Sequence, residues 1–219
     1  MELISFKGGL DRNISYLIYN NLSKEAIVID PFYNIQIYLD KLKKKGLKLI
    51  GIANTHSHSD HVQGNGKFVA LGYKVINLLN KNKISLGNEE IKIIKTPGHS
   101  DDSVCLYFAN NLITGDVLIV NRVGMTRDRA HSKTLYNSLK KLMKLPKNTK
   151  VYPGHYYNSK YPTTIEKELT NNPYLKTKNL DEFESIMSRW REHTINYHKN
   201  KREGKQLTPN PFHQHRVKS

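Results

Sequence analysis

The chain has 219 residues, of which 37% are hydrophobic and 25% charged, with a mean hydropathy of −0.62. That size and balance fit one globular domain with or without an appendage. No apolar run approaches the roughly 20 residues that cross a bilayer. The start, Met1-Glu2-Leu3-Ile4-Ser5-Phe6-Lys7, lacks a basic segment followed by an apolar one. Neither a membrane span nor a secretory leader is therefore expected, and a cytoplasmic protein is.

The net charge of +16 comes mostly from lysines spread along the chain. It reads as a solvated surface, with nucleic-acid binding or attraction of anionic substrates as the sharper alternatives. No basic stretch interleaved with aromatics appears, which disfavours a nucleic-acid partner. Cys105 is the single cysteine, so no internal disulfide can form. It lies in the apolar run Ser103-Val104-Cys105-Leu106-Tyr107-Phe108 and reads as a buried, inert thiol.

In chain order, strands are predicted at 13–19 and 25–30, the second ended by Asp30-Pro31. Ile35, Leu39 and Leu42 mark the apolar face of a helix that stops at Gly46. A buried strand over 47–54 precedes Thr55-His56-Ser57-His58-Ser59-Asp60-His61. Residues 67–72 read as helical, and 74–77, 83–86 and 91–95 as short strands. Strands follow at 103–108 and 111–114, then a helix over 132–143 that ends before Pro146. A short strand at 150–152 runs into Pro153-Gly154-His155. Thr163-Thr164-Ile165-Glu166 has the form of a capping box. Phe183, Ile186, Met187 and Trp190 form the core-facing stripe of a last helix. From Lys199 onward the chain reads as a polar, basic appendage with Pro209 and Pro211, and with His213 and His215 in solvent. Alternating strands and helices predict α/β layers.

The histidine loop is the chemical signal. Three imidazoles and a carboxylate within six residues are ligands for divalent first-row metals. Other acid or imidazole groups also follow strands: Asp30, His99 in Thr96-Pro97-Gly98-His99, Asp116 in Thr114-Gly115-Asp116, and His155. Several strand ends thus deliver ligands, as if to one edge of a sheet. Glycine beside three of them permits tight turns and close backbone approach.

His56-x-His58-x-Asp60-His61, followed in order by these segments, resembles the metallo-β-lactamase superfamily from Leu3 to about Leu175. The resemblance implies a four-layer αβ/βα sandwich with the metal site at one edge of its two sheets. It implies that His56, His58 and His99 hold one metal, that Asp60, His61 and His155 hold a second, and that Asp116 bridges them. A catalytic domain over 1–178, then a helix and basic tail over 179–219, is the expected division. Thr96-Pro97-Gly98-His99-Ser100-Asp101-Asp102-Ser103, Lys133-Thr134-Leu135-Tyr136-Asn137-Ser138-Leu139 and Asn172-Pro173-Tyr174-Leu175 look like the persulfide dioxygenase branch, near glyoxalase II. That branch implies one Fe(II) on His56, His99 and Asp116, and a small thiol-derived substrate. The alternative is a glyoxalase II-type thioester hydrolase with two zinc ions, whose shared hydroxide attacks the carbonyl. Among similar proteins a homodimer is a common assembly. The branch's Gly-Arg-Thr-Asp element reads Gly124-Met125-Thr126-Arg127 here, which leaves Arg122, Arg127 and Arg129 as candidates for a substrate-binding cation, or as solvated loop residues. Tyr156 replaces the acid that usually follows the last ligand, and joins Arg122 and Arg127 as a substrate-binding candidate.

Overall fold

A computed structural model describes residues 1–157 and 160–207. The chain opens with β1 (Glu2–Gly8), β2 (Asn13–Tyr19) and β3 (Glu25–Ile29), crosses through α1 (Gln36–Lys45) to β4 (Lys48–Ala53), and continues into α2 (Asn65–Ala70). Next come β5 (Lys83–Leu86), β6 (Glu89–Lys95), β7 (Val104–Phe108), β8 (Asn111–Gly115) and the small hairpin β9 (Leu118–Ile119) and β10 (Arg122–Val123). α3 (Arg129–Leu142), β11 (Lys150–Pro153), β12 (Thr163–Thr164), α4 (Ile165–Asn171) and α5 (Leu180–Arg202) complete the described chain.

The first sheet has the order β1-β2-β3-β4, with only β3 and β4 parallel. The second has the order β12-β11-β8-β7-β6-β5, with β11 parallel to β8. Ile14, Tyr16, Ile18, Ile27 and Ile29 of the first sheet pack against Ile93, Val104, Leu106, Phe108 and Ile113 of the second. On its outer face the first sheet buries Leu17, Val28 and Ile52 against Tyr38 and Leu42 of α1 and Phe68 of α2. The second sheet buries Cys105, Leu112 and Val151 against Leu135 and Leu139 of α3 and against Phe183, Met187 and Trp190 of α5. Helix, sheet, sheet and helix make the predicted four layers. Strands such as β2, buried at every position, follow from having cover on both faces.

Several local expectations need correction. Residues 74–77 form no strand; a single bridge joins Ile52 to Val75, because the main-chain N–H of Ile76 and the C=O of Lys74 reach only one residue of β4. α3 begins three residues before the predicted 132, because the Asp128 carboxylate caps it by accepting from the N–H of His131 (2.9 Å). The cap of α4 is Thr164, whose hydroxyl accepts from Lys167 N, while Thr163 is held in β12 opposite Val151. α5 continues to Arg202, past the Lys199 at which an appendage was expected. Pro209, Pro211, His213 and His215 lie outside the described residues.

Candidate metal centre

Every ligand loop leaves the same end of the two sheets. The loop after β4 is tied to the second sheet by Val104 N–H donating to Thr55 C=O (2.9 Å). Gly154 N–H donates to Gly115 C=O, and Ile14 N–H to Gly154 C=O, both at 2.7 Å. These cross-links hold the loops after β4, β8 and β11 and the start of β2 as one unit. Gly154 is essential to it: a Cβ there would stand 2.4 Å from Asp116 Oδ1 and 2.8 Å from His61 Cε1. At Gly124 a Cβ would stand 2.6 Å from His99 Nδ1.

The structure brings all seven sequence-predicted ligands together in overlapping groups: His56, His58 and His99; His56, His61 and Asp116; Asp60, His61 and His155. His58 Nδ1 stands 3.0 Å from both His56 Nε2 and His99 Nε2. His61 Nε2 is 3.3 Å from His155 Nε2, and Asp60 Oδ2 is 3.5 and 3.4 Å from these two nitrogens. Asp116 lies between the groups, with Oδ1 3.4 Å from His61 Nε2, and Oδ2 3.2 Å from His155 Nε2 and 3.6 Å from His99 Nε2.

These spacings test whether a metal fits. Tetrahedral ligands at 2.0–2.1 Å from zinc stand about 3.3 Å apart. The opposite ring nitrogens explain why the inner ones carry lone pairs. His61 Nδ1 faces Asp30 Oδ2 (2.9 Å), His99 Nδ1 donates to Met125 C=O (2.9 Å), and His155 Nδ1 donates to Asp11 C=O (2.7 Å). Thr55 gives its hydroxyl proton to Asp30 Oδ2 (2.7 Å), so His56 Nδ1 donates to the Thr55 oxygen (3.2 Å). Each of these rings therefore points an unprotonated Nε2 inward, an arrangement that only a cation relieves. Among the described residues Asp116 Oδ1 is buried without a hydrogen-bond partner, as a carboxylate reserved for metal would be.

The electrostatics agree at His56 and His99; at His61 and His155 burial lowers the pKa, but the Asp116 carboxylate outweighs it and raises both, so there a proton competes with a metal. Burial and the neighbouring His61 push the His56 imidazole down to about 2, so it stays neutral. Burial also lowers His99, against the pull of Asp116. Burial disfavours charge on Asp116 as well, but His61 and His155 outweigh it and hold the carboxyl well below its usual range. Asp30 supports the centre from outside. It accepts from Thr55 N–H (2.7 Å), and its φ of +52° is strain of the kind concentrated at functional sites.

A cavity of about 450 Å³ opens over His58 and His99, and Arg127 is in its wall with Asp101, Asp102 and His131. Arg122 is buried; its guanidinium lies 5.5 Å from the Tyr157 ring, which stacks on His155 at 5.0 Å. Tyr156 packs against the core between the sheets, with Lys7 5.4 Å over its ring. Arg129 pairs with Asp181 at the start of α5 (2.8 Å).

Supporting groups escaped the sequence reading. Asn13 donates to Asp60 Oδ2 (2.8 Å), and the Asp11 carboxylate accepts from Tyr157 OH (2.5 Å). Arg191 donates to Thr126 Oγ1 (3.0 Å) and Ser132 Oγ (2.9 Å) and pairs with Glu184. It thereby ties α5 to the loop whose Met125 carbonyl orients His99. Glu184 and Arg191 are two helical turns apart beside the apolar stripe, and that spacing was the available signal.

A family model of the metallo-beta-lactamase superfamily matches residues 8–76 and 71–155. A hydroxyacylglutathione hydrolase of Pelagibacter ubique (strain HTCC1062) is 34% identical over 193 residues, 79% of this chain and 80% of that protein. The mitochondrial persulfide dioxygenase ETHE1 of Bos taurus is 32% identical over 195 residues, 80% of this chain and 76% of that one. Among solved structures, ETHE1 from Myxococcus xanthus superposes with a TM-score of 0.79 at 28% identity, covering 86% of this chain and 90% of that one. Fold, metal-binding His/Asp cluster and relatives agree, and the chain belongs to the metallo-beta-lactamase superfamily.

Proposed function

We propose that the protein is an iron-dependent dioxygenase of a low-molecular-weight persulfide. The likeness to persulfide dioxygenases in both sequence and fold carries this reading. In it, His56, His99 and Asp116 hold the iron. Each pair among these three lies within 4.8 Å, and His99 borders the open cavity. Iron bound by two imidazoles and one carboxylate keeps positions open for sulfur and dioxygen, and supplies the redox chemistry. The chain's own part is to fix the donors and admit the substrate. Met125 and Thr55 hold the two rings with Nε2 inward. The lack of a side chain at Gly124 leaves the His99 ring its place. Persulfide, dioxygen and water give thiol and sulfurous acid. The substrate is small, reaches the centre from the cavity side and suits a basic, cytoplasmic protein. Protein loaded anaerobically with Fe(II) is expected to consume oxygen and release sulfite when given glutathione persulfide. Iron-loaded protein without oxygen uptake would sink the proposal.

A second reading has one observation in its favour. Asp60, His61 and His155 form a complete donor set with its own supports in Asn13, Asp30 and Asp11. Two zinc ions across both groups would serve thioester hydrolysis of glyoxalase II type. Enzyme-like cleavage of S-D-lactoylglutathione by zinc-loaded protein would favour it over the dioxygenase.

A further inference from the structure

A second cavity, of about 310 Å³, adjoins the one over His58 and His99. Ser57 and Asp102 stand in the walls of both, and Ser57 hydrogen-bonds to the Asp102 carboxylate. The candidate ligand His56 is also in the wall of the second cavity. Most of the remaining wall is apolar: Val62, Val75, Ile76, Leu78 and Leu79. Three asparagines line it too, and their side chains are already paired. Asn54 Nδ2 donates to His61 C=O (2.7 Å), Asn65 Nδ2 donates to Asn54 Oδ1 (2.8 Å), and Asn77 Oδ1 accepts from Leu79 N–H (2.9 Å). The chain has 35 lysines and arginines, yet none stands among the described residues of this wall. An anionic group would therefore meet the like charge of Asp102 there and no cation to offset it. Val75 and Leu79 are 43% and 36% exposed, so an apolar occupant would take both out of water. Benzene fills an apolar cavity of about 150 Å³, and this one admits a group of about twice that size.

We infer that this second cavity receives an uncharged hydrocarbon tail of the substrate while the substrate's sulfur lies at the metal centre. The tail passes Ser57 and Asp102, where the two cavities meet, and lies beside His56. Val75, Leu78 and Leu79, which are outside the candidate ligand set, then select substrates by hydrocarbon length. A carrier that ends in carboxylates or phosphates gains nothing from this wall; one that ends in an alkyl group does. The inference rests on the small-thiol reading above for the sulfur, and on the composition of the wall for the tail.

The test titrates thiols calorimetrically, without oxygen, into zinc-loaded protein. Ethanethiol, butanethiol and hexanethiol share one sulfur and differ only in hydrocarbon. Burial of one methylene is worth roughly fourfold in affinity, so binding should tighten by about that factor per methylene along the series. Mercaptohexanoate, whose far end is a carboxylate, should bind at least about tenfold more weakly than hexanethiol. The methyl NMR signals of Val75, Leu78 and Leu79 should move with hexanethiol and not with ethanethiol. Leu79→Asn and Val75→Asn, at partly exposed positions, should weaken hexanethiol more than ethanethiol. Leu79→Met, which stays apolar, should keep the rise. A flat series would overturn the inference, as would mercaptohexanoate binding as tightly as hexanethiol, or asparagine variants that weaken both thiols equally. Oxygen uptake with glutathione persulfide beside a flat series removes only the apolar site. A rising series without oxygen uptake from hexyl persulfide by iron-loaded protein removes only the dioxygenase reading.

Discussion

The two halves of the metal cluster are built differently. His61 and His155 are buried, and their outer nitrogens are held by the Asp30 carboxylate and the Asp11 carbonyl. His58 is exposed and His99 is half-buried, and the latter is held by one loop carbonyl. An ionised partner raises the basicity of a ligating imidazole more than a carbonyl does. The closed half is therefore the more firmly held, whereas the open half faces the cavity and, in the proposed function, is where substrate would exchange. The list of candidate ligands hides this asymmetry; the outer contacts expose it.

The largest test removes the clearance that both halves share. Gly154→Ala places a Cβ against Asp116 and His61. Misplacement of reacting groups by about 1 Å costs on the order of a hundredfold in rate. Loss of bound metal measured by mass spectrometry, with activity down a hundredfold or more, is the expected result; full metal content would show that the loops yield. Asp30→Asn tests the anchor directly through His61, and reaches the other half only at one remove, through the Thr55 hydroxyl that faces His56. Loss of an outer carboxylate weakens metal binding roughly 10- to 100-fold. Stoichiometric titration should show the His61/His155 side weakened and the His56/His58/His99 side retained, and equal weakening would erase the asymmetry.

Arg191→Met tests the open half. It frees the Thr126 loop while sparing the apolar stripe of α5, so metal affinity at His99 should fall by about tenfold, with Thr126→Val giving the same trend. An unchanged affinity with a lowered Tm would reduce Arg191 to a fold-stabilising residue. The smallest effect concerns Cys105. Burial pushes its thiol up to about 12. Its folded value exceeds its unfolded one, so its contribution to stability is complete below the unfolded pKa and is lost as pH rises toward 12. At pH 8 a disulfide reagent should leave native Cys105 unmodified and label it fully in denaturant.

The clustering of the candidate ligands was legible because each side chain carries its own chemistry and stands beside a strand end. His99, Asp116 and His155 come from separate loops, yet glycine and apolar runs flag each one. The layers were legible from strand and helix periodicity. Main-chain supports were not: the carbonyls of Met125 and Asp11 are set by backbone path, which residue identity does not encode. The strand β1 was missed because its burial alternates weakly along an edge. The cap at Asp128 was missed because the apolar pattern of α3 starts a turn later. The substrate candidates separated in the structure. Arg127 borders the cavity, whereas Arg122 stands against the ring of Tyr157, which stacks on His155.

The strands carry every candidate ligand at one end, and among the described residues the other end holds no such cluster. There Asn20 donates to Leu86 C=O (3.0 Å) and Glu89 (2.9 Å), latching the two sheets independently of the metals. The β7–β8 turn at Ala109 and Asn110 lies at that same remote end, with both residues in positive φ. A fluorophore, an affinity handle or a new pair of termini placed in that turn would leave the metal loops untouched. The molecule thus has a chemical pole and an inert pole, and instrumentation belongs on the second.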